Sequence, residues 1–187
     1  MKTDALLLSA LLALPAAAQT PPTPAAPPVA ISAVSGLKMP WNRMKETLVK
    51  TAEKMPEENY AFKPTPEVRS FGQLVGHVAD ANFMFASLSA GEKPTPRDIE
   101  KTKTSKADLV AALKESLAAC DKVFTMSDAE HSTPTKLFGM DTTRLIFVVI
   151  IFSHDAEHYG NMVTYMRIKG LVPPSSEPRP TPPAPPK

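Results

Sequence analysis

The sequence predicts an all-α domain, a four-helix bundle with long connections. Three observations carry this expectation. Four segments place apolar residues three or four positions apart, the spacing that gathers them on one face of a helix. No stretch alternates convincingly as a strand, although Tyr60-Ala61-Phe62 suits a short extended piece. Helix-start and helix-stop residues also bracket the periodic segments.

The first segment runs through Trp41, Met44, Leu48, Ala52 and Met55. Pro40 fits its first turn or an early kink, and Pro56 stops it. The second begins at Ser70 with Gln73 three residues on, a capping-box arrangement. Its stripe is Phe71, Leu74, Val75, Val78, Phe85 and Leu88, and Gly91 ends it. The third begins at Ser105, with Asp108 near the exposed amides of the first turn, and carries Leu109, Leu113, Leu117, Cys120 and Phe124. The fourth is expected to run from Asp141 as N-cap to Lys169-Gly170, with Pro173 just beyond. That is a helix of about 28 residues, roughly 42 Å long. The connections 56–69, 91–104 and 127–140 are long for tight helical hairpins, so at least one is expected to cross over the bundle.

The flanks read differently from this core at residues 31–172. Lys2, the apolar residues 5–14 and Ala16-Ala17-Ala18 have the pattern of an export signal over residues 1–18, cut before Gln19. Residues 19–30 read as a Pro/Ala-rich linker and residues 173–187 as a Pro-rich disordered tail. The expected location is therefore periplasmic or secreted. Neither the leader nor the apolar run 145–152 approaches the about 20 residues a bilayer span needs, so no stable membrane insertion is expected. A formal net charge of +2, without arginine-rich runs, makes no case for nucleic acid. Cys120 is the single cysteine, which excludes an internal disulfide; its place in an apolar helical pattern reads as a buried, inert thiol.

Chemistry concentrates in the histidines. His154 and His158 lie one turn apart on one helical face, in a stripe that reads Phe147, Ile151, His154, His158, Asn161 or Met162, and Tyr165. Such a pair either finds partners in the core or shares a metal ion. His77, next to the apolar stripe of the second helix, supplies a third imidazole, whereas His131 falls in a Ser/Thr/Pro loop. Three imidazoles plus water form the open type of site used by catalytic zinc and related metals. The string His154-Asp155-Ala156-Glu157-His158 also matches the inverted zinc-protease pattern, but only Glu177 follows as a downstream acid, and the chain is too small for that architecture.

Several tracts follow one another in a distinctive order. Met55-Pro56-Glu57-Glu58-Asn59-Tyr60 is followed by Phe62-Lys63-Pro64-Thr65-Pro66-Glu67, then by Ser70-Phe71-Gly72-Gln73-Leu74 and His77-Val78-Ala79-Asp80-Ala81-Asn82. His154-Asp155-Ala156-Glu157-His158-Tyr159-Gly160-Asn161, Tyr165-Met166-Arg167 and Gly170-Leu171-Val172-Pro173-Pro174-Ser175-Ser176 close the series. In these tracts, from about residue 37 to 177, the chain resembles the DinB-like family, described as metal-dependent hydrolases and thiol transferases and unrelated to the polymerase of similar name.

The resemblance implies a four-helix bundle holding a divalent metal, zinc or nickel, through one histidine of the second helix and an H-x-x-x-H pair of the last. Those positions carry over to His77, His154 and His158. Asp80, Glu157 and Asn161 are candidates for supporting these ligands from behind. Hydrolysis or group transfer on a small molecule is one expectation, with no catalytic residue assigned beyond the metal ligands. Export would place the chain where cytosolic thiol cofactors are scarce. The alternative is a non-catalytic metal- or ligand-binding bundle of the cell envelope. Copper held by methionine and histidine is weighed against packing for Met44, Met55 and Met84, whose spacing is that of core residues. A covalent c-type haem is excluded because C-x-x-C-H is absent. A homodimer is the one protein partnership considered.

Overall fold

The computed structural model describes Ser32 and residues 34–178. The expected export signal, the linker and the end of the Pro-rich tail lie outside these residues. The long helices are α1 (Lys38–Lys54), α2 (Phe71–Ala90), α4 (Lys106–Asp121) and α6 (Leu145–Ile168), with single-turn helices α3 (Ile99–Thr102) and α5 (Asp128–His131) between them. A hairpin of β1 (Pro134–Leu137) and β2 (Met140–Thr143) precedes α6. Both α2 and α1 pack against α4 and α6. α1 and α2 therefore stand diagonally across the bundle, as do α4 and α6, which is why the connections within these two pairs are long. The core between them is apolar, with Leu48, Phe71, Val75, Leu113, Phe147, Ile151 and Met162 fully buried.

Local chemistry explains the helix boundaries. In α1, Pro40 occupies the first turn, and the Met55 backbone turns extended ahead of Pro56. Trp41 from this helix stacks on Phe124 with ring centroids 4.3 Å apart, and its indole N–H donates to Asp121 at 2.8 Å. The start of α2 is fully accounted for. Phe71 N–H donates to Phe62 O, Gly72 N–H to Tyr60 O and Gln73 N–H to Ser70 Oγ, while Gln73 Oε1 accepts from Ser70 N–H. The connection from α1 is thus tied to the amides that the helix leaves free. Gly91 ends α2 in the left-handed region, φ 80°, and Ser105 caps α4 through Asp108 N–H.

Two expectations are corrected. Tyr60-Ala61-Phe62 is not an extended piece but a turn after the 3₁₀ turn Glu57–Asn59, anchored by Tyr60 OH donating to Ala52 O at 2.6 Å. Asp141 does not cap the last helix. It lies in β2 opposite Lys136, with which it forms an ion pair, and α6 begins only at Leu145 with 24 residues. The hairpin turns through Phe138 and Gly139, both at positive φ (50° and 83°), the geometry a two-residue hairpin needs. Phenylalanine is a poor cue for that conformation, and only Leu137 of β1 is buried, so the strands left little alternation to read.

Candidate metal centre

The histidine centre is built where α2 and α6 face each other. His77 projects from α2, His154 and His158 from successive turns of α6. His154 Nε2 lies 3.2 Å from both His77 Nε2 and His158 Nε2. The three residues can each direct one nitrogen to a common point, with those atoms within 4.8 Å of one another. Tetrahedral coordination at the Zn–N distance of about 2.0–2.1 Å places ligand nitrogens roughly 3.3 Å apart, so this donor set fits such an ion.

Burial favours the neutral form of all three rings. It is the largest cause lowering each histidine's pKa, and the neighbouring imidazoles add to it at His154, which is pushed down to about 4. Neutral imidazoles present lone pairs, the form a cation requires.

The other ring nitrogens have different partners. His77 Nδ1 lies 3.2 Å from Glu100 Oε2 of α3. Asn161 Nδ2 lies 3.5 Å from His158 Nδ1, at the limit of a hydrogen bond. His154 Nδ1 is buried without a partner. Asp80 does not touch His77. Its carboxylate instead accepts the Ile99 and Glu100 N–H groups, at 3.0 and 2.9 Å, because the start of α3 lies within reach and its free amides compete for the acid. Glu157 is solvent-exposed at the rim. Glu100, missed by sequence reading, is thus the carboxylate behind His77. It lies outside any periodic segment, so only tertiary contact reveals it.

A cleft of about 720 Å³ reaches the centre beside His158, lined by Lys63, Arg69, Glu100, Glu157, Asn161 and Tyr165. Another, of about 330 Å³, reaches His77 beneath residues 94–98. Tyr159 does not line the larger cleft; its hydroxyl accepts from Ser175 N–H at 3.1 Å. His131, placed outside the centre as expected, is buried at the end of α5 rather than set in a loop.

The expected stripe of α6 is buried at Phe147, Ile151, His158, Met162 and Tyr165, and departs from expectation at one turn. One turn after Ile151 the fully buried residue is Asp155, while His154 is only half-buried. Neither Asp155 oxygen, nor either side-chain amide atom of nearby Asn82, makes a hydrogen bond of regular geometry. Burial pushes the Asp155 carboxyl up to about 8, partly offset by Asn82. Cys120 completes this cluster, its thiol 3.5 Å from Asn82 O, and burial pushes its pKa up too, leaving the inert thiol expected.

Among the described residues, no helix is long and apolar enough to cross a membrane. The DinB superfamily model matches residues 41–162, more than half the chain and a span that contains all three histidines. The uncharacterized protein YjoA of Bacillus subtilis is 25% identical over 122 residues, covering 64% of this chain and 79% of YjoA. Its crystal structure, described as DinB-like, superposes with a TM-score of 0.56 at 21% identity, covering 69% of this chain and 87% of that one. A DinB-like protein from Bacillus cereus gives 0.63 at 20% identity, covering 74% and 94% of the two chains. A conserved protein from Enterococcus faecalis gives 0.62 at 17% identity, covering 74% and 98%. These likenesses share the fold, and the family match over the histidine-bearing core makes the chain a member of the DinB superfamily.

Proposed function

We propose that the protein binds a divalent metal ion through Nε2 of His77, His154 and His158, with zinc or nickel as the ion. The observation that carries this is the convergence of His77 and His158 Nε2 on His154 Nε2, each at 3.2 Å, from two different helices. Neutral lone pairs crowded at that spacing repel one another unless a proton or a cation lies between them. The donor set is all imidazole, which suits zinc and nickel better than calcium or magnesium. Metal measured after mild purification, with Zn²⁺ and Ni²⁺ titrations of the stripped protein, tests the proposal. A stripped protein that takes up neither ion refutes it.

The reaction class that follows is metal-dependent hydrolysis or group transfer on a small molecule. A bound divalent ion would polarise a substrate oxygen or lower the pKa of water or a thiol. The protein's own part is access and orientation. The larger cleft leads to His158, and Arg69 and Lys63 give its wall positive charge beside the acids Glu67, Glu100 and Glu157. A non-catalytic metal-binding bundle uses the same ligands. Water-proton relaxation of a Co²⁺- or Mn²⁺-substituted protein separates the two, because an enzyme needs an exchangeable coordination position. The residues 1–18 favour export, and the N-terminal mass of protein recovered from the periplasm tests that, with Gln19 as the expected first residue.

A further inference from the structure

We propose that α3 is a positioning element for the histidine centre, with Glu100 holding the His77 ring so that Nε2 faces His154 and His158. Three features dock this single turn. Asp80, one turn beyond His77 on α2, accepts the first two amides of α3. Ile99 is buried in the core cluster. Gly76, immediately before His77, leaves the space into which the α3 backbone fits. A Cβ at this position would lie 2.7 Å from Glu100 Cα and 2.9 Å from Glu100 N, so any side chain there must push α3 away from α2.

This docking places the Glu100 carboxylate between two partners. Oε2 faces His77 Nδ1 at 3.2 Å, and Oε1 accepts from Arg69 Nε at 2.9 Å. Arg69 is held in turn by α6, because Tyr165 OH donates to its carbonyl at 2.7 Å. A carboxylate facing Nδ1 accepts a hydrogen bond from Nδ1–H, which keeps the proton there and leaves the Nε2 lone pair free and directed at the other two histidines. Glu100 approaches the side of the ring away from Nε2, so it acts through His77 and is a positioning residue. Fixing one tautomer and one ring angle lowers what a ligand must reorganise on binding. The effect on metal affinity rests on the three-histidine reading above, whereas the tautomer does not.

The test uses the metal-free folded protein and then Zn²⁺ alone. Histidine ring ¹⁵N shifts in the metal-free protein are expected to show His77 as the Nδ1–H tautomer. Glu100→Ala is expected to lose that preference and to weaken Zn²⁺ binding, measured by chelator competition, roughly 10–100-fold. Glu100→Gln still offers an amide oxygen to Nδ1–H and is expected to keep the tautomer and most of the affinity. Gly76→Ala leaves Glu100 chemically intact but displaces α3, and is expected to reproduce the Glu100→Ala tautomer change. An unchanged His77 tautomer in Glu100→Ala overturns the proposal whatever the affinity does, and an unchanged tautomer in Gly76→Ala overturns the role of α3. A wild-type protein with the expected tautomer but no Zn²⁺ uptake overturns the metal reading and leaves the role of Glu100 standing.

Discussion

His154 and Asp155 are neighbours in sequence and opposites in surroundings. His154 points to the margin of the bundle, where two further imidazoles meet it and two clefts reach the group. Asp155 points into the core, beside Asn82 and Cys120, and finds no regular hydrogen bond there. Both positions put polar atoms where α6 would otherwise carry apolar ones. The difference lies in access and convergence. At the margin the polar atoms share a focus that an ion can fill, and Glu100 and Arg69 brace one of them. In the core the polar atoms have no shared donor and lower stability.

The sharpest way to break this comparison is to truncate each side and ask which property moves. His154→Ala or His158→Ala should weaken Zn²⁺ binding by well over the roughly 10–100-fold expected for an outer partner, with thermal stability little changed. If both variants bind Zn²⁺ as tightly as wild type, the margin is no more a ligand set than the core.

Asp155→Asn should do the reverse, changing stability and sparing affinity. Its carboxyl pKa is raised from 3.8 to about 8 in the folded chain. Between those values the folded form holds a proton that the unfolded form has released, so stability falls as pH rises through the window. On the order of 4 kcal/mol is lost by neutral pH in this way. The gain in melting temperature of metal-free Asp155→Asn over wild type should therefore be small near pH 4 and largest near pH 8. A pH-independent difference would contradict the burial argument.

The histidines contribute the opposite slope. The His154 pKa, lowered from 6.5 to about 4, means that the unfolded chain takes up protons first as pH falls. Stability from this group is complete above the unfolded value and is lost as pH drops toward about 4. His154→Gln should flatten the acid side of the metal-free stability profile and leave the alkaline side as it was.

The smallest effect is expected at His131. Burial lowers its pKa as well, and neither ring nitrogen has a partner, but it stands apart from the centre. His131→Gln should leave Zn²⁺ affinity unchanged while stability near pH 5 improves slightly. An affinity loss matching that of His154→Ala would mean that simple burial, and not convergence, distinguishes ligand histidines here.

Much of this was legible in residues read alone. Ser70 with Gln73, Gly91, and Ser105 with Asp108 bound their helices where the structure has them, because each satisfies backbone groups within one turn. The histidines were legible because an i, i+4 pair on one helix shares a face by geometry. Asp141 failed as a cap because its backbone is recruited into a hairpin whose turn depends on Phe138 adopting positive φ. The α6 stripe was legible at Phe147, Ile151, His158, Met162 and Tyr165, all buried, but it passed over Asp155. An acid in the polar run Ser153–His158 reads as solvent-facing, and only its packing beside Asn82 and Cys120 shows it buried.

The sequence by itself determined that this is a helical bundle with three histidines on two helices, since periodicity and capping are local properties of the chain. Tertiary structure alone decided that those histidines converge, because a common focus depends on how α2 and α6 cross. It also decided that Glu100 stands behind His77. That contact exists because Gly76 lacks a side chain and Asp80 captures two amides, so α3 can lie against α2 at backbone distance.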